Sequence, residues 1–168
     1  KCESVAADLT TFVKGRKLDD DASIMIRMSE NVKGNLSISQ IATGQENNFN
    51  ISIYGEKGAL HWSQENPNYA RFSKIGKADQ IITRGGAIQN KNSYAPIRIP
   101  PGHPEGYLEG FAQIYSDAAD IILNRKDKNE LLELLPGGDS GLQIMKFINA
   151  SVNSSNNNSI WTDLSSIY

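Results

Sequence analysis

The sequence predicts an α+β domain: an open, mostly antiparallel β-sheet with helices packed on one face. Two observations carry this. The first half of the chain alternates apolar and polar residues in short runs joined by short links, and the second half holds two long runs of helical period. Links this short cannot contain a parallel crossover, which needs about a dozen residues or more.

The first strand is expected from Val5, with Ala7, Leu9, Thr11 and Val13 sharing a face. The polar link Lys14–Asp21 follows, and its Asp19-Asp20-Asp21 run suggests a solvated turn. Ala22, Ile24, Ile26 and Met28 then face one way, and Ser23, Met25, Arg27 and Ser29 the other. Asn31–Gly34 supplies a turn before the strand of Leu36 and Ile38. Phe49, Ile51 and Ile53 alternate in the next strand. Gly55-Glu56-Lys57-Gly58 is a tight turn, its glycines suited to positive φ, and Ala59–Trp62 resumes the strand. Weaker strand signals lie at Tyr69–Ser73 and Gln80–Thr83. Throughout, one face is aliphatic and the other is rich in Ser, Thr and Asn.

Arg84–Gly102 is expected to be an irregular loop, and a loop of that length in a domain is usually functional or disordered. Pro104 suits a first helical position and Glu105 a first turn. Tyr107, Leu108, Phe111, Ile114, Tyr115, Ala118, Ile121 and Ile122 then recur at helical spacing. Asn129–Leu135 is a short apolar piece ended by Pro136-Gly137-Gly138. Asp139 is the expected N-cap of a second helix bearing Leu142, Met145, Ile148 and Val152. Ile160-Trp161 with Leu164 suggests a last strand.

Composition excludes several classes. The chain has 168 residues and a net charge of −2 with no basic block, which argues against nucleic-acid binding. A single cysteine, Cys2, excludes an internal disulfide framework and points to a reducing, cytoplasmic setting. No apolar run approaches the roughly 20 residues of a membrane span. No G-x-G-x-x-G or P-loop motif occurs, so no cofactor-binding residue is assigned. The two histidines, His61 and His103, have no partner at metal-ligand spacing, so no metal site is expected. His61 suits an ordinary sheet-surface position. His103 lies between the long loop and a helix start, in Pro100-Pro101-Gly102-His103-Pro104-Glu105-Gly106-Tyr107. A neutral imidazole can both donate to and accept from hydroxyl groups. Helix capping or loop packing is the alternative role for it.

Several segments together carry a resemblance. They are Ala7-Asp8-Leu9-Thr10-Thr11-Phe12-Val13 with Gly15-Arg16, the run Asp19–Ala22, Ser39–Asn47, Ile53–Trp62, and Pro100–Tyr107 with Phe111-Ala112. In their order and spacing they resemble the C-terminal domain of the Gfo/Idh/MocA family, named for glucose–fructose oxidoreductase and inositol dehydrogenase. The resemblance implies a dihydrodipicolinate-reductase-like C-terminal domain in a two-domain enzyme. An N-terminal Rossmann domain would bind NAD or NADP and carry the catalytic lysine. The C-terminal domain would shape the substrate pocket, and its sheet would mediate oligomerisation. The reaction would be hydride transfer between a nicotinamide and a sugar or cyclitol carbinol carbon.

Residues 1–168 are accordingly expected to form one substrate and oligomerisation domain, with the Rossmann domain absent from the chain. The chain begins with Lys1 and reads as a piece of a longer protein, with the catalytic residues upstream. Alone it would bind no cofactor and catalyse nothing. A homodimer through the open sheet face is expected. His103 is the candidate substrate contact, with Arg16 and Arg84 as weaker ones that could equally be surface charges. The competing expectation is a non-catalytic carbohydrate-binding or assembly module, with Trp62 and the Ser/Thr/Asn-rich face as a sugar platform.

Overall fold

The structure is a computed structural model and describes residues 1–86, 97–125 and 135–167. In chain order the elements are β1 (Cys2–Thr10), β2 (Asp21–Met28), β3 (Lys33–Ser39), β4 (Asn50–Gly55), β5 (Gly58–Ser63), β6 (Tyr69–Lys74), β7 (Gln80–Thr83), α1 (Tyr107–Ile122), α2 (Gly138–Asn156) and β8 (Thr162–Asp163). All the strand pairs described are antiparallel, and they form two four-stranded sheets. This is the open α+β architecture expected. The sequence pattern gave no sign that the strands divide between two sheets. Most of the apolar piece at Asn129–Leu135 lies outside the described residues. No helix among them is long and apolar enough to cross a membrane.

The elements fall into two compact units. The first comprises Lys1–Gly44 and Pro136–Tyr168, with strand order β3-β2-β1-β8. Register aligns the apolar positions of neighbouring strands. Ala7 sits opposite Ile24, which sits opposite Leu36, and Leu9, Ala22 and Ile38 line up in the same way. Helix α2 closes this face, and Val5, Ala7, Ala22, Ile24, Ala150 and Leu164 form the buried core. A fully buried aliphatic side chain of this kind is worth about 1.5–3 kcal/mol.

The small residues Ala150, Ser151 and Ser154 form the buried positions of α2. Ser154 Oγ accepts the Ala7 amide at 2.9 Å and donates to the Ile160 carbonyl at 2.6 Å. Ser155 Oγ accepts the Leu9 amide at 3.0 Å. Two serines of the helix thus satisfy two amides of β1. The helix begins at Gly138 after Gly137, so Asp139 lies in its first turn and is not the N-cap. The last strand is confined to Thr162–Asp163, inside the expected Ile160–Leu164 stretch, and Leu164 enters a short 3-10 turn.

The second unit, Gln45–Leu135, holds the meander β4-β5-β6-β7 and helix α1. Ile51, Trp62, Ala70 and Ile82 align across its four strands, as do Ile53, Leu60 and Phe72. Much of this apolar face is open, with Ile53 58% exposed. Gly55 pairs with Gly58 across the turn, but neither glycine has positive φ. Gly58 is needed for space instead, because a Cβ there would strike the Ser73 carbonyl oxygen.

Candidate functional site

Residues 98–105, ahead of α1, are organised by one carboxylate. Asn68 and Arg84 flank the Tyr69–Thr83 pair that ends the β6–β7 ladder, and the Arg84 amide donates to the Asn68 carbonyl at 2.9 Å. This places the Arg84 side chain at the sheet end, where it turns toward residues 98–105. Its Nε donates to Asn68 Oδ1 at 2.8 Å, Nη1 to the Ile99 carbonyl at 2.8 Å, and Nη2 to the His103 carbonyl at 2.7 Å. Nη1 also lies 2.5 Å from Glu105 Oε2.

Glu105 in turn accepts the Arg98 amide on Oε1 at 3.0 Å and the Ile99 amide on Oε2 at 3.2 Å. Its own amide donates to Asn68 Oδ1 at 3.2 Å, which closes a ring of Asn68, Arg84 and Glu105. Glu105 is buried, and its charge is met by a guanidinium and two amides, as a buried carboxylate requires.

Two glycines make the turn possible. Gly102 adopts φ +89°, in the turn where the His103 amide donates to the Pro100 carbonyl at 3.3 Å. Gly85 adopts φ +76°, and a Cβ there would lie 2.7 Å from Pro101 Cγ. Both positions favour glycine, since a side chain is strained at such φ.

Helix α1 starts at Tyr107 with Gly106 as N-cap, so Pro104 is not the first helical residue and Glu105 is not a first-turn charge. Glu109 takes the capping role: its Oε2 accepts the Gly106 amide at 2.9 Å. That bond, followed by the bond to its own amide, holds the Glu109 carboxyl below the usual carboxylate range. Arg98 ties the segment to the helix, with Nε on Gln113 Oε1 at 3.0 Å and Nη2 on the Ala112 carbonyl and Ser116 Oγ.

His103 and Arg84 are therefore brought together. The His103 carbonyl is held by Arg84, while its imidazole is exposed and bonds no described residue. Arg84 is not a surface charge: its side chain is 16% exposed and engaged through all three of its nitrogens. Arg16 belongs to the other unit and pairs with Asp20 at 3.2 Å. Asp20, expected in a solvated turn, is buried, and accepts the Phe12 and Val13 amides at 2.8 and 3.0 Å. The Phe12 amide is the main cause of a lowered Asp20 pKa, with burial opposing and Val13 and Arg16 assisting.

Three other features bear on chemistry. His61 Nδ1 lies 2.9 Å from Ser52 Oγ across the β4–β5 pair, in keeping with an ordinary sheet position. The Trp62 indole donates to the Pro67 carbonyl at 3.1 Å and meets Phe49 edge-on. Among the described residues, no cluster of three or more His, Cys, Asp or Glu could hold a metal ion. Asn68 and Glu105 are the site residues that sequence reasoning missed. The proline–glycine run around Glu105 was the available signal.

An open antiparallel α+β domain, with a loop tied down by a buried arginine–glutamate pair and presenting one imidazole, is the class this geometry defines. Residues 1–61 match the model described as the GFO/IDH/MocA C-terminal domain. The chain is similar to an uncharacterized oxidoreductase, YfiI, of Bacillus subtilis (strain 168), at 29% identity over 167 residues, covering 97% of this chain and 42% of the relative. A crystal structure of an oxidoreductase from Sinorhizobium meliloti superposes with a TM-score of 0.90 at 42% identity, covering 96% of this chain and 46% of that one. An inositol dehydrogenase homolog from Azotobacter vinelandii, complexed with NADH and myo-inositol, gives 0.86 at 25% identity, covering 97% and 44%. The chain spans less than half the length of each of these relatives.

Proposed function

We propose that this chain is the substrate-side domain of an NAD(P)-dependent, cytoplasmic oxidoreductase acting on a carbinol group of a sugar, cyclitol or sugar derivative. The likeness to the inositol dehydrogenase homolog complexed with NADH and myo-inositol carries this reading. The dinucleotide belongs, in this proposal, to a Rossmann domain in the part of the relatives that the chain does not span. It would supply the hydride acceptor. The absence of any G-x-G-x-x-G run in this sequence supports that division.

The contribution of these residues is binding and orientation. The exposed His103 imidazole can donate to one hydroxyl of a polyol and accept from another. Arg84 serves the site by holding the His103 carbonyl. Arg16, whose side chain is 45% exposed beside Asp20, is the remaining candidate contact. A homodimer would cover the open apolar face of Ile51, Ile53 and Leu60, since exposed apolar sheet surface favours association.

The competing role, a stand-alone sugar platform on Trp62, is less well supported. That indole is half-buried and already bonded to Pro67.

The test is a dehydrogenase assay of the full-length protein with NAD or NADP and a panel of neutral sugars and cyclitols. Reduced nicotinamide formed with at least one of them is expected. No turnover on any member, with the cofactor bound, would overturn the reading.

A further inference from the structure

We propose that Glu105 is a positioning residue that sets the direction of His103 by acting through Arg84. This rests on the reading of His103 as the substrate contact. Glu105 precedes the N-cap of α1, and the capping carboxylate is Glu109, so helix capping does not account for Glu105. Its oxygens instead gather the Arg98 and Ile99 amides and the Arg84 guanidinium.

Ile99 is thereby gripped at both ends, its amide by Glu105 and its carbonyl by Arg84. The second terminal nitrogen of the same guanidinium grips the His103 carbonyl. A planar guanidinium can serve several acceptors only in a fixed fork. The carboxylate that fixes the plane of Arg84 therefore fixes where the His103 carbonyl must lie. Asn68 closes the arrangement by accepting from both Arg84 and Glu105.

Between the two held carbonyls stand Pro100, Pro101 and Gly102. The prolines restrict the chain, and the left-handed glycine makes the turn. The backbone of His103 is held from several sides, while its ring is left exposed and bonded to no described residue. That is the arrangement a contact side chain needs, because a misplacement of about 1 Å can cost a bound reactant up to about 100-fold in rate.

The test is backbone amide 15N relaxation on the 168-residue chain. In Glu105→Gln the order parameters of Gly102 and His103 should fall from the rigid range near ~0.85 to below about 0.6, with β4–β7 unchanged. Arg84→Met should do the same, and the double variant should lose no more than either single one. Should Glu105→Gln fail to fold, Arg84→Lys takes its place. Lysine keeps a charge for Glu105 but cannot hold two carbonyls, so His103 alone should loosen.

A His103 that stays rigid in the variant that folds, or additive losses in the double variant, would overturn the proposal. A second arm uses the full-length protein with NAD and myo-inositol as probe. Glu105→Gln should raise KM for myo-inositol about tenfold while KM for NAD is unchanged, a split that general loss of folded enzyme does not produce. A fall in kcat with both KM values unchanged would count against positioning. If His103→Ala leaves KM for myo-inositol unaltered, the substrate reading fails, and the relaxation arm still decides the role of Glu105.

Discussion

Glu105 Oε2 lies 2.5 Å from Arg84 Nη1, with the two side chains only 8% and 16% exposed. Removing one partner of such a pair leaves the other charge buried without compensation. Arg84→Met is expected to cost about 3 kcal/mol, and the Arg84→Met/Glu105→Gln double variant less than the sum of the singles. Urea unfolding midpoints of the three variants check this. Additive losses would show that the pair acts as two independent groups.

Ser154 is fully buried and serves as acceptor for Ala7 and donor to Ile160. Ser154→Ala strands a buried amide and a carbonyl together, for a loss of about 1–3 kcal/mol. Ser155→Ala should cost less, because that site is only partly buried. Denaturant midpoints of the two variants give the comparison.

Asp20 has a lowered pKa, chiefly through the Phe12 amide. A depressed carboxyl contributes stability that is fully present above its unfolded value of about 3.9 and is lost as pH falls through its folded value. Asp20→Asn should therefore lower stability at neutral pH and flatten the decline on the acid side. Thermal melts of wild type and variant from neutral pH down past the ordinary aspartate range should converge at the acid end. Curves that stay parallel would contradict the assignment.

Gly58 faces the Ser73 carbonyl across β5 and β6. Gly58→Ala must push these strands apart, and overpacking of this kind costs about 1–3 kcal/mol. Gly55→Ala at the other end of the same turn should be better tolerated, since a Cβ there meets only the Gly58 carbonyl, at 3.7 Å. Melting temperatures of the two variants discriminate space from backbone conformation as the reason for Gly58.

The strands were legible in the sequence because a period of two survives burial on one face. Ala22, Ile24 and Ile26 point inward and Ser23, Met25 and Arg27 outward, as the alternation of β2 requires. Helix ends were less legible. Pro104 and Asp139 are good local signals, yet glycines hold both N-cap positions. His103 drew notice as a candidate through its unusual neighbours. The role of Glu105 was not, because it depends on partners in Asn68 and Arg84 that only the β6–β7 pairing brings near. Asp20 hid in the same way: an acidic run suggests solvent, and only the fold shows which of the three carboxylates caps Phe12 and Val13.

Calorimetric titration with NADH most directly tests the division of labour between this domain and the rest of an oxidoreductase. The 168-residue chain should give no binding heat, while the full-length protein binds NADH at micromolar concentrations. Micromolar binding by the chain alone would contradict the account, because the nucleotide site would then lie within these residues.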